Sequence, residues 1–325
     1  MPLLTPDAFK SLRVLVVGDL VLDEYLIGRV GRLSREAPVP VLEQTHSRHV
    51  PGGAANPAVN IRSMGAQAVV AGLLGEDDEA GALRALLAAR GVDLTGVITD
   101  PDRPTTHKIR LVAEGAYVFA HHLARVDRLS RTPIAGSREQ RLCDHIRAIT
   151  PAVNAVLVSD YRLGVVTPAV VDTVRRAADG RDLSLVVDTQ GNLAAFRGFD
   201  VLRCNAHEAA DYLGRELAGD NAYAGALQEI RTKLDARAVI ITRGAEGVSA
   251  IDEAGEAFHL PASNRSQVFD VTGAGDVFIA VVTLALTLGL DLYTAVTYGN
   301  RAAGVAVTRL GNVAVRPEDI GLVVK

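Results

Sequence analysis

FDVTGAGDVF, residues 269–278, sets a run of small residues between two carboxylates, Asp270 and Asp276, just ahead of an apolar stretch that continues to Leu288. The stretch predicts a buried helix over 274–289. The first backbone N–H groups of a helix have no internal partners and carry the positive end of its dipole. Gly273, Ala274 and Gly275 let an anion approach those groups, and Asp276 stands beside them in the first turn. Such an arrangement can take a proton from a hydroxyl while the N–H groups neutralise a phosphoryl group. The same residues also read as a Gly-rich turn with Asp276 as a capping charge, and spacing alone leaves both readings open.

The rest of the chain alternates short β-branched runs with Ala-rich helical segments. RVLVVGD (13–19), AQAVVAGLLG (66–75), AVLVSD (155–160), LSLVVD (183–188), DVLRCN (200–205) and AVIITRG (238–244) read as strands. Helices are expected over 54–65 and 78–91, each with a Gly stop, from Thr167, from Ala206, and over 274–289 and 291–308. Continuous apolar strands between helices belong to a mostly parallel sheet flanked by helices on both faces, an α/β fold. Two stretches, 25–50 and 104–127, break the alternation. They read as short strands and turns, the second a hairpin about Glu114-Gly115, and together as a small sheet off the main body.

With 325 residues, 48% hydrophobic and a formal net charge of −4, the chain is long enough for one large domain with an embellishment. The basic residues are dispersed, which argues against a nucleic-acid partner. Cys143 and Cys204 lie far apart without a CxxC and read as buried free thiols. The N-terminus does not resemble a signal peptide, and no apolar stretch has the length of a membrane span, so a soluble cytoplasmic protein is expected. No GxxxxGK[ST] is present. Phe278 follows Gly275 where a dinucleotide loop wants Gly, which argues against a nicotinamide oxidoreductase. HEAAD (207–211) lacks the second His of a zinc helix.

DVTGAGD (270–276) resembles the C-terminal signature of the PfkB, or ribokinase-like, carbohydrate kinases, and PGGAANPAVNIRSMGA (51–66) resembles their N-terminal signature. NAHE (205–208) is similar to the family's NxxE motif, and TRGAEG (242–247) to its nucleotide loop. The motifs stand in family order and the resemblance spans nearly the whole chain. Within the family, GDLVLDEYLIGRVGRLSREAPVPV (18–41) and SDYRLG (159–164) look most like the heptose-7-phosphate kinases. The second, nucleotidyltransferase domain fused in some relatives is not expected. The resemblance implies one kinase domain over 1–325, with 25–50 and 104–127 as a β-sheet lid over the sugar.

It also implies roles. Asp276 would be the general base, with the N–H groups of Gly273 to Asp276 as anion hole. Asn205 and Glu208 would organise Mg²⁺ and phosphates through water. Thr242, Gly244 and Gly247 would line the triphosphate of ATP, with Asp270, Thr272 and Asn300 also on the nucleotide side. Asp19, Asp23, Gly52, Gly53, Asn56, Lys108, Arg110 and Asp160 would hold the sugar or sugar phosphate. The Arg-rich lid (Arg29, Arg32, Arg35, Lys108, Arg110, Arg125) suits a phosphorylated acceptor such as D-glycero-D-manno-heptose 7-phosphate, with transfer to C1, or else is ordinary solvated charge. Lids pair between subunits in many relatives, so a homodimer through VPVLE (39–43) and its neighbours is expected.

The chain departs from the heptose kinases in three places. Gln190 replaces a usual Lys, Arg203-Cys204 stand where Thr-Pro is usual, and Arg35 where Pro is common. Another sugar or nucleoside kinase of ribokinase, fructokinase or adenosine kinase type is the alternative. A non-catalytic sugar-binding module on the same fold is the other, though the intact Asp276, Asn205 and Glu208 speak against it.

Overall fold

Val14 to Val17 form a Val-rich, wholly apolar run, and such a strand is stable only with both faces covered. The computed structural model, which describes residues 6–115, 118–265 and 268–322, places this run at 0% exposure. In chain order the strands are Arg13–Gly18 (β1), Leu20–Leu33 (β2), Pro40–Gly53 (β3), Gln67–Leu74 (β4), Asp93–Thr99 (β5), Thr106–Gly115 (β6), Val118–Arg128 (β7), Ala155–Asp160 (β8), Ser184–Thr189 (β9), Val201–Asn205 (β10), Ala238–Thr242 (β11), Val248–Ile251 (β12) and Ala257–Leu260 (β13). The α-helices are Ala55–Ser63 (α1), Asp78–Ala88 (α2), Ser137–Ile149 (α3), Pro168–Ala178 (α4), Ala206–Leu213 (α5), Gly219–Leu234 (α6), Ala274–Thr287 (α7) and Leu292–Ala306 (α8).

Among the described residues, nine strands form one sheet in the order β13-β12-β11-β10-β9-β8-β1-β4-β5. It is parallel from β5 to β11 and antiparallel over β11-β12-β13. One apolar core joins the sheet to α1, α2, α7 and α8. A second joins its other face to α3, α4 and α6. Cys143 and Cys204 are buried free thiols within the second. No helix of the described residues is long and apolar enough to cross a membrane.

The small second sheet is present, in the order β3-β2-β6-β7, with β2 parallel to β6 and the other pairs antiparallel. Its first strands are longer than the sequence suggests: β2 begins at Leu20, with Leu20 and Leu22 buried in the body core, and β3 runs on to Gly53. The hairpin expected at Glu114-Gly115 sits slightly later: Gly115 pairs with Val118, and residues 116–117 lie outside those described. Apolar periodicity alone passes over β5, α3, α6 and the β12-β13 hairpin, which are present.

Candidate active site

Strands of a parallel sheet all end on one edge, and ligands of open α/β sheets collect there. Asp19 follows β1, Asp160 and Tyr161 end β8, Asp188 lies near the end of β9, Asn205 ends β10 and Thr242 ends β11. The start of α7 faces the same edge. Gly273 caps α7 in the left-handed region, at φ 75°, and the first intrahelical bond runs from Val277 N–H to Gly273 C=O (3.0 Å). The N–H groups of Gly275 and Asp276 precede that bond, while Ala274 N–H turns back to Val271 C=O at 3.3 Å.

Asp276 is buried. Its Oδ2 accepts from Asn56 Nδ2 (2.8 Å) and its Oδ1 from the Tyr161 hydroxyl (2.6 Å). Each carboxylate oxygen has two acceptor directions, so room remains for a substrate hydroxyl. Burial, and then the charge of Asp188, push its pKa up to about 7, while bonds from Tyr161 and Asn56 pull the other way. Burial and the neighbouring Asp276 hold the Tyr161 phenol well above its usual range, so it stays a donor.

The residues assigned to the sugar gather around this carboxylate, but several spend their polar atoms on the protein. Asp19 accepts the backbone N–H groups of Tyr161 (2.9 Å), Leu163 (3.1 Å) and Val165 (3.2 Å). Burial nevertheless raises its pKa to about 6. Asp160 accepts from Arg162 N–H and the Thr189 hydroxyl. These two acids shape the 161–165 loop, in which Arg162 takes the left-handed conformation (φ 57°). Asp23 pairs with Arg110 and accepts from Asn312 Nδ2 (2.6 Å). Gly52 and Gly53 run tightly beneath: a Cβ on Gly52 would strike Asp23, and one on Gly53 would strike the Asp19 carbonyl.

Two clefts open on either side of Asp276. The first, about 460 Å³, is lined by Lys108, Arg125, Arg131, Tyr161, Arg162 and Gln190, among others. The second, about 440 Å³, is walled by apolar Val271, Phe278 and Val307 and by Thr242, Gly244 and Gly247, and includes Asn205 and Asn300. Tyr161 in the wall of the first donates to Asp276, and Ala274 and Gly275 line the second, so the carboxylate stands between the two. Asp270 and Thr272 lie beside the lid rather than in the second cleft. Asp270 accepts from Thr272 and from Gly311 N–H, and these bonds outweigh burial to hold its pKa down.

Asn205 and Glu208 form a reciprocal cap on α5, each side chain accepting the other's backbone N–H (2.9 and 2.7 Å). Asn205 lines the second cleft and Glu208 is bonded to it from behind, an oxygen-bearing pair that fits an ion that keeps its waters, as Mg²⁺ does.

Arg203 is a site residue that its place in the sequence marks only as an oddity. Its guanidinium bonds Asp188 (2.8 Å) and the Thr242 hydroxyl (2.6 Å), and it lies so close to Gly275 that a Cβ there would come within 2.8 Å. Asp188 outweighs burial and keeps it charged. A cation at the positive end of a helix is unfavourable unless anions lie between. Asp188 supplies one anion, and the cleft beside Gly275 leaves space for another. Tyr161, Asn312, Arg131 and Arg162 also join the site without a sequence assignment. For Tyr161 and Arg162, the SDYRLG stretch carried a signal. Of the lid cations, Lys108 and Arg125 line the first cleft and Arg110 pairs with Asp23, while Arg29, Arg32 and Arg35 are exposed.

Comparison with known proteins gives the same picture. The family described as pfkB family carbohydrate kinase matches residues 11–319. The chain is 37% identical over 311 residues to the Bifunctional protein HldE of Geobacter sulfurreducens, covering 95% of this chain and 62% of that protein. It is 38% identical over 311 residues to the protein of the same name in Citrifermentans bemidjiense, covering 95% and 63%. The chain thus spans somewhat less than two thirds of these relatives. The phosphofructokinase-2 structure from Escherichia coli in complex with substrates and products superposes with a TM-score of 0.78 at 20% identity, covering 95% and 96%. Arabidopsis thaliana ribokinase complexed with ribose and ATP gives 0.72 at 20% identity, covering 95% and 97%. The fold is ribokinase-like, and with residues 11–319 matching the family, the chain belongs to the pfkB carbohydrate kinases, phosphotransferases with an alcohol acceptor.

Proposed function

We propose that the chain transfers the γ-phosphoryl group of ATP to a hydroxyl of a sugar phosphate, with heptose 7-phosphate phosphorylated at C1 as the preferred reaction. The observation that carries the acceptor class is the first cleft, where Lys108, Arg125, Arg131 and Arg162 converge beside Tyr161. Asp127 in the same cleft pairs with Arg125 at 2.8 Å, which leaves Lys108, Arg131 and Arg162. A neutral sugar has no use for three cations, whereas a phosphate brings about two negative charges that Arg forks match. The likeness of 18–41 and 159–164 to the heptose-7-phosphate kinases, and relatives named HldE, support the heptose form.

In this reading Asp276 takes the proton as the acceptor oxygen forms its bond to the γ-phosphorus and the bond to ADP breaks. The N-terminus of α7 and Arg203 stabilise the migrating group, and Arg203 supplies the cation that Gln190 lacks. The apolar walls of the second cleft suit a nucleotide base. Asn205 and Glu208 would hold Mg²⁺ through water, the ion adding positive charge at the phosphate oxygens. The lid, β3-β2-β6-β7, excludes water and so suppresses ATP hydrolysis. We take 1–325 as one kinase domain.

A coupled ADP-release assay across sugars and sugar phosphates tests the acceptor. Heptose 7-phosphate or a hexose 6-phosphate should exceed the unphosphorylated sugar by on the order of 10² or more in kcat/KM. Activity on ribose, fructose or adenosine with none on the phosphates would overturn the assignment while leaving the Asp276 chemistry standing.

A further inference from the structure

The lid carries a second cluster of chemistry-bearing side chains, on the face away from the acceptor cleft. Glu24 on β2 sits opposite His49 on β3, and His107 on β6 sits opposite Leu22, one pleat along. Side chains alternate along a strand, so His107 points away from its neighbour Lys108, which lines the acceptor cleft. His49 Nε2 is 3.4 Å from Glu24 Oε1, and His107 Nε2 is 3.0 Å from Glu24 Oε2. All three donor atoms lie within 4.8 Å of one another.

His107 is the decisive residue. It is 6% exposed, and its Nε2 is sealed from solvent yet makes no hydrogen bond, even with a carboxylate oxygen at 3.0 Å. An imidazole nitrogen and a carboxylate oxygen at that distance stay unbonded when the nitrogen carries no proton or is not aimed at the oxygen. Metal ligands behave this way: their lone pairs converge on a common point, and bonds of 2.0–2.1 Å place them about 3.3 Å apart along the edges of a tetrahedron. The other ring nitrogen, Nδ1, faces Glu79 Oε1 of α2 at 3.6 Å, and that oxygen is held by Arg128 at 3.0 Å. A carboxylate behind the far nitrogen of a ligating histidine is the usual outer shell of a metal site, where it fixes the ring and raises its basicity.

We propose that Glu24, His49 and His107 bind one Zn²⁺, with a water in the fourth position and Glu79 orienting His107. Two imidazoles and a carboxylate select a divalent transition ion over Mg²⁺, which prefers an all-oxygen shell. The site bridges three neighbouring lid strands and, through Glu79, the first turn of α2 in the body. It braces the base of the lid and takes no part in the phosphoryl transfer. It stands whether or not the proposed acceptor is right, because its readout is metal rather than turnover.

The test uses tag-free protein stripped with a chelating resin. Zn²⁺ should rebind at one equivalent per chain by elemental analysis, and Co²⁺ should give the visible absorption of a tetrahedral site. Millimolar Mg²⁺ should leave both unchanged. His49→Ala alters an exposed side chain and should fold normally by circular dichroism, yet bind at least about 100-fold more weakly. Glu79→Gln should weaken binding by about 10–100-fold, the range for an outer-shell partner. Zn²⁺ should raise the Tm of the parent and not that of His49→Ala. Less than stoichiometric binding by the parent, displacement by Mg²⁺, or unchanged affinity in His49→Ala would overturn the proposal. So would an NMR spectrum in which His107 remains doubly protonated between Glu24 and Glu79 after Zn²⁺ is added.

Discussion

Asp276, the proposed base, is also a buried charge that the fold must hold. Its pKa of about 7 follows from burial against Asp188. A base works only when ionised, so kcat/KM should rise with pH and level off above a midpoint near 7. Asp276→Asn keeps the size and removes proton acceptance. Turnover should then fall by about 10² to 10⁴, with ATP affinity little changed by calorimetry. A mutant that kept most of its turnover would remove Asp276 from the role of base. Stability has the opposite sign. An unfolded Asp titrates near 4, so between about 4 and 7 the folded chain holds a proton that the unfolded chain has lost. This contribution is full below the lower value and is lost as pH rises through the upper. Asp276→Asn should therefore melt higher than the parent at pH 8, by on the order of 1 kcal/mol, with less gain at pH 5. Thermal melts at the two pH values check the sign.

The N-terminus of α7 works as an element because one residue sets its geometry. Gly273 holds φ at 75°, which costs an L side chain about 1–2 kcal/mol, and a Cβ there would press on Asn312 and come within 2.7 Å of Asn56. Asn56 is the side chain that bonds Asp276, so strain at the cap would reach the base directly. Gly273→Ala should lower the Tm and reduce kcat by roughly 10- to 100-fold, the scale of a small misplacement in a reacting geometry. Parental melting and turnover in that variant would show that the left-handed cap does not set the site. The α5 cap is the milder case. Asn205 and Glu208 are first a capping box, and any service to a metal uses what the box leaves over.

At the scale of the molecule, the lid is the part least able to stand alone. Its edge strand β3 runs 14 residues, and Val30, Leu33, Val39, Leu123 and Val126 of the lid are exposed large apolar side chains. Long edges and apolar patches of this kind are normally covered. A lid-to-lid homodimer would cover them, and sedimentation velocity at working concentrations should show a dimer. Leu33→Asp with Val126→Asp should shift it to monomer with the fold intact. A monomeric parent would defeat the dimer and leave the lid in place.

What the sequence determined by itself was local. The strand 155–160 stands where its apolar run put it, and the helix after Gly273 begins at Ala274. These signals rest on neighbours within four residues, where periodicity, caps and propensities act. Together with motifs in family order, they were enough for the α/β class and to single out Asp276 as the candidate base. Tertiary structure alone decided the rest. Tyr161 meets Asp276 across 115 residues and Asn312 meets Asp23 across 289. Arg203 reaches the mouth of a helix 70 residues ahead because β10 ends beside it. Asp19 became a clamp for the 161–165 loop because parallel β1 and β8 end side by side, and their amides needed an acceptor once buried. Such meetings are set by strand order and by the burial of polar groups that must find partners, and neither leaves a mark within four residues of the side chain concerned.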